Sequence, residues 1–180
     1  EEWMLKAREM RANAQFGVQA INNPKSFNPI NIGPGINSNH AEYFPCLTVD
    51  GKTMLFTRYL PIKNESLSQE DFFVSESNEN QNWGVAEPMQ KNVNTINNEG
   101  APTISSDGKS LIFVACCDES GDYGYGRAGL GSCDLFYTKK LGNNWLTPIN
   151  LPGNVNSRNW ETQPSLSADG KTLYFIRGVR

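Results

Sequence analysis

The sequence is short of several features that mark common protein classes. It has no run of about 18 apolar residues, the length that a membrane-spanning helix needs. Lys and Arg together number 16 against 19 Asp and Glu, so no basic excess is available to bind a nucleic-acid backbone. We therefore predict neither a transmembrane helix nor a nucleic-acid partner. Because 19% of residues are charged and 38% are hydrophobic, the chain should fold around a core.

Residues for catalysis and metal binding are also scarce. The one histidine, His40, has no Gly-x-Ser-x-Gly elbow to serve, and the sequence has no phosphate-binding glycine loop. The four cysteines form no Cys-x-x-Cys pair of the kind that a zinc site uses. These patterns favour a protein that is not an enzyme and that uses no cofactor or metal.

The first 24 residues differ from the rest of the chain. Within 1–21, apolar residues recur every three or four positions with charged residues between them, which predicts one amphipathic helix that packs on a neighbour. Its apolar stripe consists of Trp3, Ala7, Met10, Ala14, Val18 and Ile21. Pro24 should end the helix, because proline disfavours a helical residue before it. Since the sequence begins at Glu1 without an initiator methionine, we expect a mature or partial protein.

After residue 25 the sequence repeats itself. Three stretches align without a gap, and each leads into an Asp-Gly-Lys block. The stretches are 36–45, 93–102 and 155–164, and the blocks are 49–56, 106–113 and 168–175. Corresponding residues are 57 and 62 positions apart throughout. Segments 71–75 and 134–138 form a third shared block, and Trp83 and Trp145 each precede a proline.

Each repeat unit is predicted to form four strands. Asp-Gly between alternating apolar residues indicates a tight type I′ hairpin, in which both central residues have positive φ. The third shared block supplies a third strand, and the segment from tryptophan to proline supplies a fourth, at the sheet edge. Repeated four-stranded antiparallel sheets are typical of β-propeller blades. We therefore predict an all-β fold, a partial β-propeller preceded by one amphipathic helix (1–24). Residues 25–180 would hold two complete units, 36–91 and 93–153, and the first half of a third, 155–180.

The repeat also resembles a known family. Residues 161–175 follow the pattern Glu-x-x-Pro-x-Leu-Ser-x-Asp-Gly-Lys-Thr-Leu-x-Phe, which is similar to the WD40-like repeat of TolB-type propellers. Segments 131–137 and 151–157 resemble in particular the propellers of OmpA-family envelope proteins from Bacteroidetes-type bacteria.

The resemblance implies a place in a larger protein. In that family a helical tetratricopeptide region precedes the propeller, so 1–24 would be the end of such a region. A carboxypeptidase-regulatory-like domain and a peptidoglycan-binding OmpA domain follow, and some members belong to the type IX secretion and gliding apparatus. The implied location is periplasmic or at the cell surface, associated with the outer membrane. Peptidoglycan would be bound through domains outside this chain.

Side chains that recur in every unit are interpreted as structural, because every unit needs them whereas chemistry usually occurs once. The asparagines and glutamates should form internal hydrogen bonds, and the aspartates should occupy the hairpin turns. These residues are Asn37, Asn94, Asn156, Glu42, Glu99, Glu161, Asp50, Asp107 and Asp169. Phe56, Phe113 and Phe175 are expected between neighbouring blades.

Residues outside the repeat are the candidates for binding. Insertions at 58–70 and 116–133 should lie on one loop face, and the second combines tyrosines and an arginine with five glycines. Aromatic and arginine side chains are common anchors of protein interfaces. The candidate binding residues are His40, Tyr59, Tyr123, Tyr125, Arg127, Arg158 and Trp160. The alternative is that the second insertion is a solvent-exposed loop without a partner.

The cysteines suggest a compartment. Cys116 and Cys117 end one predicted strand and Cys133 begins the next, which places thiols at the base of the second insertion. We predict a disulfide between Cys117 and Cys133, with Cys116 as the alternative partner of Cys133. Cys46 should be a small buried residue. A disulfide indicates an oxidising compartment, in agreement with the periplasm or cell surface.

Three functional hypotheses follow. The leading one is a non-catalytic scaffold of the bacterial cell envelope that binds other envelope proteins through the loop face. The alternative is a glycan-binding or glycan-cleaving propeller, which would need clustered carboxylates beside a Tyr or Trp platform. A spacer within a larger envelope assembly is the third. The fold alone does not distinguish among them.

Overall fold

The chain forms two compact parts, Glu1–Asn31 and Ile32–Arg180. A computed structural model describes residues 2–62, 68–80 and 82–178. In the first part, helix α1 spans Glu2–Asn22, which confirms the predicted N-terminal helix. None of its described side chains is buried, so the packing of its apolar stripe on a neighbour stays a prediction. Within the described residues, no helix combines the length and apolarity needed to cross a bilayer.

The second part consists of antiparallel β-sheets, as predicted. The first sheet has the order β1 (Glu42–Leu47), β2 (Thr53–Pro61), β3 (Ser68–Glu76), β4 (Glu87–Pro88). The second sheet has the order β5 (Glu99–Ile104), β6 (Ser110–Cys116), β7 (Cys133–Leu141), β8 (Asn144–Trp145), and β9 (Ile149–Asn150) also pairs with β7. The third sheet pairs β10 (Trp160–Leu166) with β11 (Leu173–Gly178).

The predicted insertion at 58–70 is partly regular structure. Residues 58–61 extend β2 and residues 68–70 begin β3, and the two strands pair from Thr53 with Glu76 to Pro61 with Ser68. The insertion therefore lengthens a hairpin, although residues 63–67 lie outside the described part of the chain.

The three hairpin turns differ from the predicted type I′ form. Only the glycine has positive φ, for example 67° at Gly51, and the preceding aspartate does not. The N–H of Gly51 donates to the Thr48 carbonyl at 2.8 Å, and the Thr48 hydroxyl donates to Asp50 Oδ1 at 2.6 Å. The same bonds recur in the other two hairpins, at Ser105–Gly108 and Ser167–Gly170. The hydroxyl two residues before the aspartate thus selects a wider turn, which needs one left-handed residue.

The first strand of every sheet carries the same bulge. The pairing register shifts between Tyr43 and Cys46, and at the corresponding places in β5 and β10. The bulged residues Phe44, Ala101 and Gln163 all have φ of 50°, a region that residues other than glycine rarely adopt. Together with the prolines that follow them, they line one cavity of about 180 Å³. Corresponding residues of the three repeat units therefore meet at one place.

The sheets pack face to face in chain order. Leu55 and Phe72 of the first sheet contact a face of the second sheet that includes Phe113. The opposite face of the second sheet, with Ile112 and Leu135, packs against Leu173 and Phe175 of the third. Phe113 and Phe175 thus lie between neighbouring sheets. Phe56 instead belongs to a separate cluster with Ile36, Met54, Phe73 and Ala86.

Candidate functional site

An ion pair between a buried glutamate and an arginine recurs at the start of the first strand in each unit. In the first and third units, Arg58 and Arg177 donate through Nε to Oε1 of Glu42 and Glu161, at 2.8 Å in both cases. Each glutamate also accepts a backbone N–H from four residues earlier, as Glu161 does from Ser157 at 3.0 Å. The pair therefore ties the entry loop to the sheet.

The second unit builds the same pair from a different segment. The position of Arg58 and Arg177 is occupied by Ala115, and Glu99 pairs instead with Arg127, from the loop 117–132. Both side chains of this pair are 0% exposed.

The loop arginine takes the place of the missing strand arginine. The Arg127 guanidinium carbon lies 5.4 Å from the Phe136 ring centroid. In the first unit, Arg58 lies 4.2 Å from the corresponding ring of Phe73. The two guanidinium groups thus occupy the same place in their sheets, although they come from different segments.

Arg127 also fixes the loop that carries it. Its Nη2 donates to the Tyr123 carbonyl at 2.7 Å and to the Thr95 hydroxyl at 3.1 Å, and its Nε donates to the Gly124 carbonyl at 3.3 Å. Tyr123 is buried with its ring 5.4 Å from that of Phe136. The prediction that Tyr123 and Arg127 are exposed interface anchors is therefore wrong, because both side chains hold the loop from inside.

A close contact holds the far end of the loop. The N–H groups of Leu130 and Gly131 donate to the Asp134 carboxylate at 2.6 and 3.1 Å. A side chain at Gly131 would collide with the carbonyl oxygen of Asn159, at the entry to the third unit. Glycine is therefore needed for the loop of the second unit to lie on the third.

The disulfide joins Cys116 to Cys133, not Cys117 to Cys133 as preferred from the sequence. Cys116 and Cys133 are directly opposite each other on β6 and β7. Cys117 lies one residue beyond the end of β6, and its Sγ is 3.7 Å from the Gly131 carbonyl. The strand register therefore decides the pairing in favour of the alternative. Burial raises the pKa of the free Cys46 thiol to about 12.

Tyr125 is the residue that this framework exposes. It is 62% exposed and has φ of 54°, between Gly124 at 74° and Gly126 at 71°. Tyrosine in the left-handed region costs about 1–2 kcal/mol. Three successive left-handed residues lift the Tyr125 side chain away from the buried Tyr123 and Arg127.

Tyr125 borders an open cavity of about 400 Å³, which we call the Tyr125 cleft. The cleft is lined by Lys91, Asn94, Thr95, Ile96, Asp122, Gly124 and Tyr125. Ile96 is 80% exposed. Sequence reasoning missed Ile96, although a signal was present, because the corresponding positions in the other units are polar, Asn39 and Arg158. The cleft combines two exposed apolar side chains with one basic and one acidic group.

The other predicted binding residues lie elsewhere. His40 and Arg158 are exposed, and Tyr59 and Trp160 are more than one-third exposed. These four residues are not among the described residues that line the Tyr125 cleft. Of the loop-face candidates, the structure therefore places only Tyr125 at this cavity.

The pKa values of Glu99 and Glu161 are shifted in opposite directions. Burial raises the pKa of Glu99 to about 7, although the Arg127 guanidinium and the Thr95 hydrogen bonds act in the opposite direction. Burial also acts to raise the pKa of Glu161, but the bonds from Ser157 and Arg177 outweigh it, and the net shift is downward. Among the described residues, no three His, Cys, Asp or Glu side chains form a group that could hold a metal ion.

Comparison with known proteins gives no family assignment. A scan against protein-family models found no matching model, and a search of curated proteins found no match. The family resemblance is therefore carried by the sequence motifs alone.

Proposed function

We propose that this chain is a non-catalytic interaction domain of a bacterial cell-envelope protein and that it binds another protein through the Tyr125 cleft. The observation that carries the proposal is an exposed tyrosine in a strained backbone conformation, supported by a buried arginine and a buried tyrosine. Strained residues persist only where their surroundings determine them, and they are concentrated at binding sites. A backbone that is already held in one conformation also loses less entropy on binding.

The composition of the cleft supports a protein partner. Its lining includes two large exposed side chains, Tyr125 and Ile96, and two side chains of opposite charge, Lys91 and Asp122. Protein interfaces combine apolar and aromatic side chains with polar and charged ones. A glycan-cleaving site would need clustered carboxylates. Of the described residues that line the cleft, Asp122 alone is acidic, and its Oδ1 accepts the Gly124 N–H at 2.9 Å.

The proposal includes a WD40-like, TolB-type propeller as the architecture. Phe44, Ala101 and Gln163 support it, because the blades of a propeller surround a central channel and corresponding residues of successive units here line one cavity. Placement in an OmpA-family protein of the outer membrane, including a type IX assembly, depends on the motifs at 131–137 and 151–157. The disulfide supports a periplasmic or cell-surface location, because disulfides persist in oxidising compartments.

Site-specific photocrosslinking tests the protein-binding proposal. A photoreactive phenylalanine would replace Tyr125 in one variant and Leu141, a residue of the second sheet that is at least as exposed, in a control variant. Both would be irradiated with the envelope fraction of the source cells, and crosslinked proteins would be identified by mass spectrometry. We expect one envelope protein to be captured from position 125 and not from 141.

Direct titration then decides whether the capture is specific. The purified partner should bind the natural chain and the Leu141→Ser variant equally, and Ile96→Ser should weaken binding at least tenfold. Equal binding by all three proteins would contradict the proposal. Binding of an oligosaccharide, lost in Tyr125→Ala, would instead support the glycan alternative.

A further inference from the structure

The second repeat unit has a basic cleft where the turn between β5 and β6 meets the end of β7. The cleft has a volume of about 690 Å³, and we call it the Lys140 cleft. It is lined by Asp107, Lys109, Lys139, Lys140 and Leu141, together with two glycines. All three lysines are exposed, and Leu141 is 70% exposed. The cleft is therefore an accessible surface, unlike the packed core beneath it.

The positive charge of the Lys140 cleft is not neutralised within the described part of the chain. None of the three lysines forms an ion pair with a described residue. Asp107 lines the cleft, but its Oδ1 accepts the Ser105 hydroxyl at 2.5 Å and the Lys109 N–H at 3.0 Å, which hold it in the turn. Three positive charges thus lie beside one negative charge, in a chain whose net charge is −3. Because like charges repel, the cleft favours an anionic ligand.

The first unit builds the same arrangement without this charge. The Lys140 N–H donates to the Lys109 carbonyl at 2.8 Å, and the Ser77 N–H donates to the Lys52 carbonyl at the same distance. The side chains at the corresponding positions differ, with Glu-Ser-Asn-Glu at 76–79 and Lys-Lys-Leu-Gly at 139–142. Since both units adopt the same local backbone, the fold requires neither the lysines nor the leucine.

Leu141 lies at the tip of a hairpin. The last pair between β6 and β7 joins Ser110 to Lys139, and β7 continues to Leu141. Leu141 pairs with Asn144 of β8, and Gly142 turns the chain with φ of 60°. An exposed apolar side chain thus stands at the end of β7, directly after two lysines.

We propose that the Lys140 cleft docks on the surface of an anionic phospholipid bilayer. The ammonium groups of Lys109, Lys139 and Lys140 bind lipid phosphates, and Leu141 enters the boundary between the headgroups and the acyl chains. Basic side chains combined with an exposed apolar one are typical of segments that bind membrane surfaces. A free phosphate ion would account for the lysines but not for the leucine. The Lys140 cleft is a different surface from the Tyr125 cleft, so the two proposals are independent.

Co-sedimentation of the whole chain with lipid vesicles tests the inference. One set of vesicles would contain phosphatidylcholine alone, and the other would also contain phosphatidylglycerol. We expect the chain to bind only the second set, and to bind it more weakly at higher ionic strength, because salt screens exposed charges. A net charge of −3 opposes binding to an anionic surface in general, so such binding requires a local basic site.

Lysine substitutions locate the contact. The variant that combines Lys109→Gln, Lys139→Gln and Lys140→Gln should bind the anionic vesicles on the order of a hundredfold more weakly, at about fivefold for each lysine. The control variant combines Lys25→Gln, Lys52→Gln and Lys171→Gln, which change the net charge equally at exposed residues outside the cleft. It should bind as the natural chain does.

A leucine substitution tests whether the contact reaches the lipid. Leu141→Ser should weaken vesicle binding about tenfold, because an apolar side chain leaves water when it enters the bilayer. Ile96→Ser, at an exposed apolar residue of the Tyr125 cleft, is the control and should leave vesicle binding unchanged. The protein partner of the Tyr125 cleft should respond in the opposite way, so each proposal can fail without the other. A lipid contact at Leu141 captures no protein, which leaves this residue valid as the crosslinking control.

Several results would overturn the inference. The natural chain could fail to bind phosphatidylglycerol vesicles, or it could bind phosphatidylcholine vesicles equally well. Equal losses in the two triple variants would mean that net charge, and not the Lys140 cleft, determines binding. Soluble glycerophosphoglycerol, the headgroup alone, provides the last comparison. If it binds as tightly as the vesicles and Leu141→Ser has no effect, the ligand is a free phosphate compound and not a bilayer.

Discussion

The second repeat unit differs from the first and third in the origin of one guanidinium group. In the first and third units the arginine belongs to the second strand, so the ion pair with the recurring glutamate depends on the hairpin alone. In the second unit Arg127 comes from a loop and also binds the carbonyls of Tyr123 and Gly124. In every unit the recurring glutamate pairs with a guanidinium group, but the segment that supplies this group is not the same in all units. Moving the charge into the loop couples the conformation of Tyr125 to the core.

The largest expected effect is that of removing the loop arginine. Arg127→Ala leaves Glu99 buried without its partner, and breaking such a pair costs about 3–5 kcal/mol. We expect the free energy of unfolding in urea to fall by this amount. Arg177→Ala is the control, because the Arg177 side chain is 36% exposed and its ion pair contributes less, about 1 kcal/mol. Equal losses in the two variants would contradict the distinction between the units.

The next effect concerns the base of the loop. Cys116→Ser removes a disulfide that joins residues 17 positions apart, and the chain-entropy model assigns about 3 kcal/mol to a loop of this size. The melting temperature of the natural chain should fall on addition of dithiothreitol, and that of Cys116→Ser should not respond. Cys117→Ser is the matched control and should keep the natural response. Loss of the response in Cys117→Ser would show that Cys117 forms the bond.

Glu99 and Glu161 should make stability depend on pH in opposite directions. The pKa of Glu99 is raised to about 7 from an ordinary value of 4.5, so between these values the folded state holds more protons than the unfolded state. Stability therefore falls as pH rises through this window, by an amount on the order of 1 kcal/mol. Asp71, with a pKa raised to about 6, contributes in the same direction. When urea denaturation is measured from pH 4.5 to 7.5, the free energy of unfolding should thus fall less in Glu99→Gln than in the natural chain.

Glu161 provides the comparison for this pH effect. Its pKa is lowered in the folded state. Its contribution to stability is therefore present at pH values above the ordinary pKa of 4.5 and is lost as pH falls below that value. Glu161→Gln should therefore leave the fall in the free energy of unfolding between pH 4.5 and 7.5 unchanged. A Glu99→Gln curve parallel to that of the natural chain would argue against the raised pKa of Glu99.

The smallest expected effect has the opposite sign. Tyr125→Gly removes a side chain from a residue with φ of 54°, which should raise the free energy of unfolding by about 1 kcal/mol because glycine adopts this region without strain. The same change should abolish binding at the Tyr125 cleft. Asn97 is a nearby loop residue whose φ is not positive, so Asn97→Gly should not stabilise the chain. A destabilised Tyr125→Gly would mean that the side chain supports the loop instead of presenting a surface.

The sequence predicts the strands and hairpin positions well, since each Asp-Gly block lies between two strands that pair as expected. The turn type is not predicted, because it depends on a hydroxyl two residues before the aspartate. The disulfide partner depends on the register of β6 and β7, which the cysteine spacing leaves open.

The candidate site is only partly predicted from the sequence. Composition identifies the 116–133 insertion, but it cannot tell the exposed Tyr125 from the buried Tyr123 two residues earlier, since both tyrosines neighbour glycine. Ala115 was a usable signal. Because the first and third units have an arginine where the second unit has alanine, the buried glutamate of the second unit requires a charge from another segment, and Arg127 supplies it.

Hydrogen exchange of the 117–132 loop tests most directly whether the buried ion pair holds the Tyr125 loop in place. The amide of Arg127, which donates to the Gly124 carbonyl at 3.1 Å, reports on the left-handed segment. In Arg127→Ala, we predict that loop amides lose protection while those of β6 and β7 keep it, and that Arg177→Ala leaves the loop unchanged. Unchanged loop protection in Arg127→Ala would contradict the coupling between the core and Tyr125.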